Sequence, residues 1–244
     1  MLARLLAALL GCSAAVFPAH ADTIPAAPDA AAADTTITRL FRIFHDGTPI
    51  GEARYVFVAD GPTLTVTSET VASRRVLGLT VFRFIHRVRE TWRGGRLIQL
   101  EAVTDDNGQL TRVTGHATAA GLEVDGPAGR SVAPPDAVPT TYWHPATMHG
   151  VPMIDTRAGV VGPTHAAPLA REASGQAAHV AAQGYKISGP VLFYAWYDAD
   201  GVWRRTAAAT EHGWIEGVGL DGGDRDRIRR LLKIQERVVP PALR

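Results

Sequence analysis

Two stretches of the chain bring together residue types that could do chemistry. In Tyr142-Trp143-His144, with His149 five positions on, two imidazoles stand beside two aromatic rings. A five-residue offset is not a metal-ligand spacing, and no cysteine or carboxylate lies close enough in sequence to complete a set. Two roles remain for this stretch. Its rings stack on a ligand, or Tyr142 and Trp143 plug the end of a core while His144 caps a turn. The second stretch holds His86 and Glu90. If it is a strand, side chains four apart lie ~13 Å from each other, so the pair flanks a space and does not touch. A histidine among Phe82, Phe84 and Val88 is either a general base in a pocket or a hydrogen-bonded structural residue.

Other candidates carry weaker signals. Asp198, Asp200 and Gly201 are spaced like the start of a calcium loop, but the later acidic ligands are missing, and Trp196 and Trp203 flanking this turn read as hairpin anchors. There is no Gly-x-Ser-x-Gly, His-Glu-x-x-His, phosphate loop or dinucleotide fingerprint. No catalytic residue, metal ligand or cofactor is therefore assigned.

The elements that must position these residues are strands. Thr36 to His45 is rich in β-branched and aromatic residues and stops at Asp46-Gly47, a hairpin dipeptide. Ile50 to Ala59, with Tyr55 and Phe57 on one face, and Leu64 to Val71 follow. From Val81 to Trp92 a period of two holds for twelve residues. Phe82, Phe84, His86, Val88, Glu90 and Trp92 share one face, and three arginines lie on the other, as in an antiparallel strand covered on one side. Gly94-Gly95 and Asn107-Gly108 then turn the chain into Leu97 to Val103 and Leu110 to Thr118, with short strands at Leu122 to Asp125 and Arg130 to Ala133. The proline-punctuated residues 134–152 predict an ordered loop or short helical turn. Strands resume at Met153 to Val161, Ala177 to Ser188, Val191 to Tyr197 and Val202 to Ala209. In 224–238, Ile228, Leu231, Leu232 and Val238 fall within one third of a helical wheel. This predicts an amphipathic helix capped by Asp224, which either packs on the sheet or lies on an anionic membrane.

The first twenty-one residues predict export. Arg4 supplies a positive start, an apolar run follows, and Ala19-His20-Ala21 gives a small-x-small cleavage site before Asp22. The run is shorter than the ~20 residues a membrane span needs. Cys12 lies in a sequence like a lipoprotein box, but the hydrophobic segment before it is too short for lipidation to be preferred. Cleavage removes Cys12, the one cysteine, and turns 25 basic and 24 acidic residues into 24 of each by loss of Arg4. The mature chain then has no disulfide, and its charge balance excludes nucleic acid as a partner. Residues 22–35, an Ala/Pro leader, have nothing to bury and are expected to be disordered.

Phe44-His45-Asp46-Gly47-Thr48-Pro49-Ile50-Gly51, the long Phe/Arg strand, Thr141-Tyr142-Trp143-His144-Pro145, and Tyr185-Lys186-Ile187-Ser188-Gly189 with Trp196-Tyr197-Asp198 together resemble an uncharacterised family of exported bacterial β-proteins. The layout is more distantly similar to periplasmic half-barrels of the LolA/LolB lipoprotein-carrier type, which implies a curved sheet holding acyl chains. The expectation is a single all-β domain over 36–244, a strongly curved antiparallel sheet (a half-barrel, or barrel-like) with a C-terminal helix at 224–238. In the periplasm or outside the cell it would bind or carry an apolar or lipid-like small molecule without catalysis. The expected ligand face is Tyr55, Phe57, Phe82, Phe84, His86, Trp92, Tyr142, Trp143, His144 and Trp196. The rivals are an assembly partner of another envelope protein, and an enzyme using His86 or His144 as a base.

Overall fold

The structure is a computed structural model and describes residues 35–77, 79–170, 182–210 and 213–220. Eight strands run first as an antiparallel meander: β1 (Thr35–His45), β2 (Thr48–Asp60), β3 (Thr63–Val76), β4 (Leu79–Arg93), β5 (Arg96–Asp106), β6 (Gln109–Thr118), β7 (Gly121–Gly126) and β8 (Gly129–Ala133). Two-residue turns set the register. Asp46 and Gly47 adopt φ of 47° and 76°, and Asn107 and Gly108 adopt 54° and 89°, the left-handed pair whose twist matches that of the flanking strands.

The chain then leaves the sheet. Residues 134–164 hold β9 (Val138–Pro139), a 3-10 turn (Pro145–His149), β10 (Met153–Ile154) and β11 (Val161–Gly162), a small separate sheet in which β9 and β10 are parallel. The main sheet resumes with β12 (His165–Pro168), β13 (Ala182–Ser188), β14 (Phe193–Asp198), β15 (Trp203–Thr210) and β16 (Gly213–Gly219). β16 pairs with β1, so one continuous antiparallel sheet of thirteen strands runs from β12 through β16 and β1 to β8. It is strongly curved. The 134–164 segment lies inside the curve, with Ala137, Val138, Trp143, Met153 and Ile154 buried in the same core as Ile37, Phe57, Val66 and Leu100 from the sheet. A curved sheet this wide leaves a concave apolar face, and here the chain fills much of it with its own loop.

The all-β antiparallel expectation holds. The stretch Met153 to Val161 is not one strand: two-residue pieces flank a tight turn in which Gly159 N–H bonds to Asp155 C=O at 2.8 Å. The short strands β12 and β16 were not expected; one holds only four residues and the other three glycines, so neither shows a hydrophobic period. Thr35, placed in the leader by sequence, begins β1 and pairs with Ala59. The expected helix at 224–238 and the rest of the leader lie outside the described residues. Among the described residues no helix is long and apolar enough to cross a membrane.

Where β2 and β3 cross most closely, a Cβ on Gly51 would lie 2.0 Å from the Val71 carbonyl oxygen. Gly51→Ala should therefore lower stability by about 3 kcal/mol, because backbone rather than a flexible side chain must yield. Urea unfolding checks this; an unchanged midpoint would mean the β2–β3 register is not as described.

Candidate functional site

On the concave face, cross-strand register lines up one residue from each strand. Phe57, Val66, Glu90, Leu100, Gly115 and Val124 form such a row. Five positions in it are apolar or bare, and the sixth is a carboxylate with 0% exposure. A lone buried carboxylate is costly unless its oxygens are satisfied. Three donors do this. Trp92 Nε1–H donates to Oε2 at 2.8 Å, the Thr141 hydroxyl to Oε1 at 2.6 Å, and Trp143 Nε1–H is shared between both oxygens at 3.1 Å. Thr141 and Trp143 both belong to the inner loop, so Glu90 fastens the loop to the sheet.

The loop backbone is shaped for this purpose. Tyr142, between the two donors, has φ of 68°, and Trp143 N–H bonds back to Thr141 C=O at 2.9 Å. A non-glycine residue held there costs about 1–3 kcal/mol. Tyr197 O–H steadies the turn by donating to Tyr142 C=O at 2.7 Å. The next residue, His144, caps the 3-10 turn, its Nδ1 accepting from Ala146 N–H at 3.1 Å, and its ring stacks on Trp92 with centroids 4.9 Å apart. Phe57 and Trp92 both meet Trp143 edge to face, at 5.4 and 5.5 Å. Tyr55 belongs to a neighbouring cluster with Phe41, Trp203 and Tyr142.

One level along β4, His86 makes a second fastening. Its Nδ1 lies 2.9 Å from the Thr104 hydroxyl, and its Nε2 lies 3.1 Å from that of Thr156, which is itself 3.1 Å from Thr140 Oγ1. His86 and Glu90 are thus engaged separately, as their strand spacing requires. Beyond His86 the concave face opens: Phe84 and Phe82 are only half-buried and stack in parallel at 6.5 Å, with the Arg157 guanidinium 5.3 Å from the Phe84 centroid.

The ten residues expected to share a ligand face therefore divide. Tyr55, Phe57, Trp92, Tyr142, Trp143 and His144 come together in the packed interior, with His86 at its upper limit, and Phe82 and Phe84 form its rim. Trp196 is elsewhere. Phe193, Ala195 and Tyr197 take the inner face of β14, so the period of two sends Trp196 to the outer face with Tyr194, under the Arg205 guanidinium at 4.5 Å. Sequence reasoning missed Thr141, Thr140 and Thr156, whose lone hydroxyls carry no spacing signal. It also missed the Asp198–Arg204 pair, buried on both sides, in which Oδ2 accepts from Nε at 2.9 Å and Nη2 at 2.5 Å. Among the described residues no three His, Cys, Asp or Glu side chains gather to hold a metal ion.

Fold and site define a class: an antiparallel β-protein whose curved sheet is stoppered by its own loop. The chain belongs to the family described as Domain of unknown function (DUF6134), which it matches over residues 41–216. It is also similar to a crystal structure of a β-barrel-like protein of Domain of Unknown Function DUF1849 from Brucella abortus, at 8% identity and TM-score 0.47, over 75% of this chain and 95% of that one. No curated protein matches it.

Burial pushes Glu90 up from 4.5 to about 7, its three donors opposing the rise. Removing its acceptor oxygens should be costly: Glu90→Leu strands three buried donors and should lower stability by about 3 kcal/mol, while Glu90→Gln keeps an acceptor and should cost about 1 kcal/mol. Equal losses by urea unfolding would contradict the fastening.

The pH dependence has two opposed parts. The Glu90 pKa is raised on folding, so its contribution is full below about pH 4.5 and is lost as pH rises through about 7. Burial lowers His86 and His144 from 6.5 to about 4, so their contribution is full above 6.5 and is lost as pH falls through about 4. Two histidines outweigh one carboxyl, so stability should rise from about pH 4 to 6 and fall slightly near 7. In Glu90→Gln the rise should steepen and the fall disappear, as read from unfolding midpoints across that range.

Proposed function

We propose that the chain is exported by way of a signal peptide cleaved after Ala21 and acts in the periplasm or outside the cell as a non-catalytic binder of an apolar or lipid-like molecule, held at the Phe82–Phe84 rim. The observation that carries this reading is the change along one face of β4. Trp92, Glu90 and Val88 are sealed by the loop, whereas Phe84 and Phe82 remain half-buried with no ring from the loop over them. Stacked aromatic rings at the mouth of a curved apolar face suit a flat or chain-like apolar guest. The interior rings are occupied with one another, so the binding surface is smaller than the sequence alone suggests. The resemblance of the Ile50-Gly51 hairpin and the Trp196-Tyr197-Asp198 hairpin to lipoprotein-carrier half-barrels supports the same assignment. The histidines favour no enzymatic reading: both nitrogens of His86 face threonine hydroxyls, and His144 Nδ1 is spent on the turn.

A second reading, as an assembly partner of another envelope protein, rests on a different observation. Tyr194, Trp196 and the 43%-exposed Trp214 form an aromatic strip on the outer face, with Tyr194 and Trp214 centroids 5.7 Å apart.

Protein purified without detergent from the envelope fraction should release a bound apolar molecule on solvent extraction, identified by mass spectrometry. Phe82→Ala/Phe84→Ala should retain several-fold less of it, and Trp196→Ala should retain as much as wild type. An empty wild-type protein, or equal loading of the rim variant, defeats the proposal. Loss of a protein partner specific to Trp196→Ala would favour the second reading.

A further inference from the structure

The register of β3 and β4 shows where the sheet ends. β2 pairs with β3 no further than Gly51–Ala72, and β5 pairs with β4 no further than Phe84–Asp106. Arg83 is the last residue of β4 held from that side, by two hydrogen bonds to Asn107 in the β5–β6 turn, and the two strands nevertheless continue paired with each other, from Arg74–Phe82 to Val76–Leu79. They form a two-stranded arm projecting beyond both neighbours by about 10 Å, at 3.3 Å per residue. Such an arm is marginal in water, and beyond Phe82, which packs partly against the core, neither of its faces is covered.

Its composition is the reverse of what an exposed arm needs for solubility. Leu77 is 97% exposed, Leu79 72% and Val81 56%, with Phe82 half-buried beside them. Leu77 occupies the first position of the connecting turn with φ of 50°, where asparagine or glycine would cost less. It covers nothing and strains the turn, so it contributes nothing to the fold. Arg74 and Arg75 flank this apolar tip. Lower on the sheet Arg83 pairs with Asp105 at 2.6 Å and Arg87 with Glu69 at 2.6 Å, and Arg157 of the inner loop pairs with Asp106 at 3.1 Å. Arg75 reaches only the Thr80 hydroxyl, at 3.5 Å, and neither Arg74 nor Arg75 has an acidic partner among the described residues.

We infer that the β3–β4 arm is a membrane-docking element, inserting Leu77, Leu79 and Val81 into the interfacial region of an anionic bilayer while Arg74 and Arg75 lie at the level of the lipid phosphates. Apolar residues at a projecting tip with unpaired cations just behind them are complementary to that surface in both depth and charge. The inference builds on the rim-binding reading, because Phe82 joins arm to rim and would place the binding surface against the lipid from which an apolar guest is drawn. Docking is nevertheless measured without any guest, so either idea can fail while the other stands.

The test is flotation of the purified protein with vesicles of equal parts phosphatidylglycerol and phosphatidylcholine, against vesicles of phosphatidylcholine alone. Wild type should float with the anionic vesicles and much less with the zwitterionic ones. Arg74→Glu/Arg75→Glu and Leu77→Asn/Leu79→Asp should each lower partition about tenfold or more. Val132→Asp, a half-exposed apolar residue on β8 whose cross-strand row runs through Glu123, His116 and Gln99 to Thr91 at the other end of β4, should leave it unchanged. Leu77→Asn alone should weaken partition while keeping or raising the urea midpoint, which separates docking from folding. Absence of wild-type flotation, equal flotation on both vesicle types, or arm variants that bind as wild type does would overturn the inference.

Discussion

A carboxylate set in an apolar row must have its oxygens occupied before anything else in this interior can settle. Glu90 has Val66 and Leu100 as cross-strand neighbours, so the sheet offers it no polar partner except the Trp92 indole two residues along. The remaining acceptor capacity is met from outside the sheet, by Thr141 and Trp143. The geometry that lets two residues so close in sequence reach one carboxyl is the left-handed Tyr142 between them. The strain there and the burial of Glu90 are linked: each is tolerated because the other is present.

That single fastening decides how much of the concave face remains for other uses. With Trp143 drawn down onto Glu90, its ring fills the space between Phe57 and Trp92, and the chain beyond it seats Met153 and Ile154 against the sheet. His86 and the Thr104, Thr140 and Thr156 hydroxyls then tie the returning loop at a second level. Beyond this polar layer the loop supplies Arg157, which lies over Phe84, and Phe84 and Phe82 stay half-buried while the arm's tip is exposed. The fold thus divides one strand, β4, into a structural half and an available half, and the functional proposals concern only the latter.

Much of this was legible from alternation. The period of two from Val81 to Trp92 places every inner and outer residue of β4 correctly, because a strand covered on one side has no other way to arrange them. The hairpin dipeptides Asp46-Gly47 and Asn107-Gly108 mark turns for the same kind of local reason. What alternation cannot show is what covers a face. The sequence gives no sign that Tyr142-Trp143-His144 returns to β4, since that contact spans fifty residues and rests on single hydroxyl and indole donors. Trp196 does not lie with the inner aromatics as expected, because an alternating strand does not say which of its faces is inward, and Phe193 and Tyr197 take that side. The projecting arm is not legible in the sequence, because strand length alone does not reveal where neighbouring strands stop.

The central claim, that one carboxyl holds both indoles, is tested most directly by the indole N–H resonances of Trp92 and Trp143 in a pH titration followed by NMR. The account predicts that both shift together with a common midpoint near 7, and that neither shifts in Glu90→Gln. Two flat or independent titrations would contradict it.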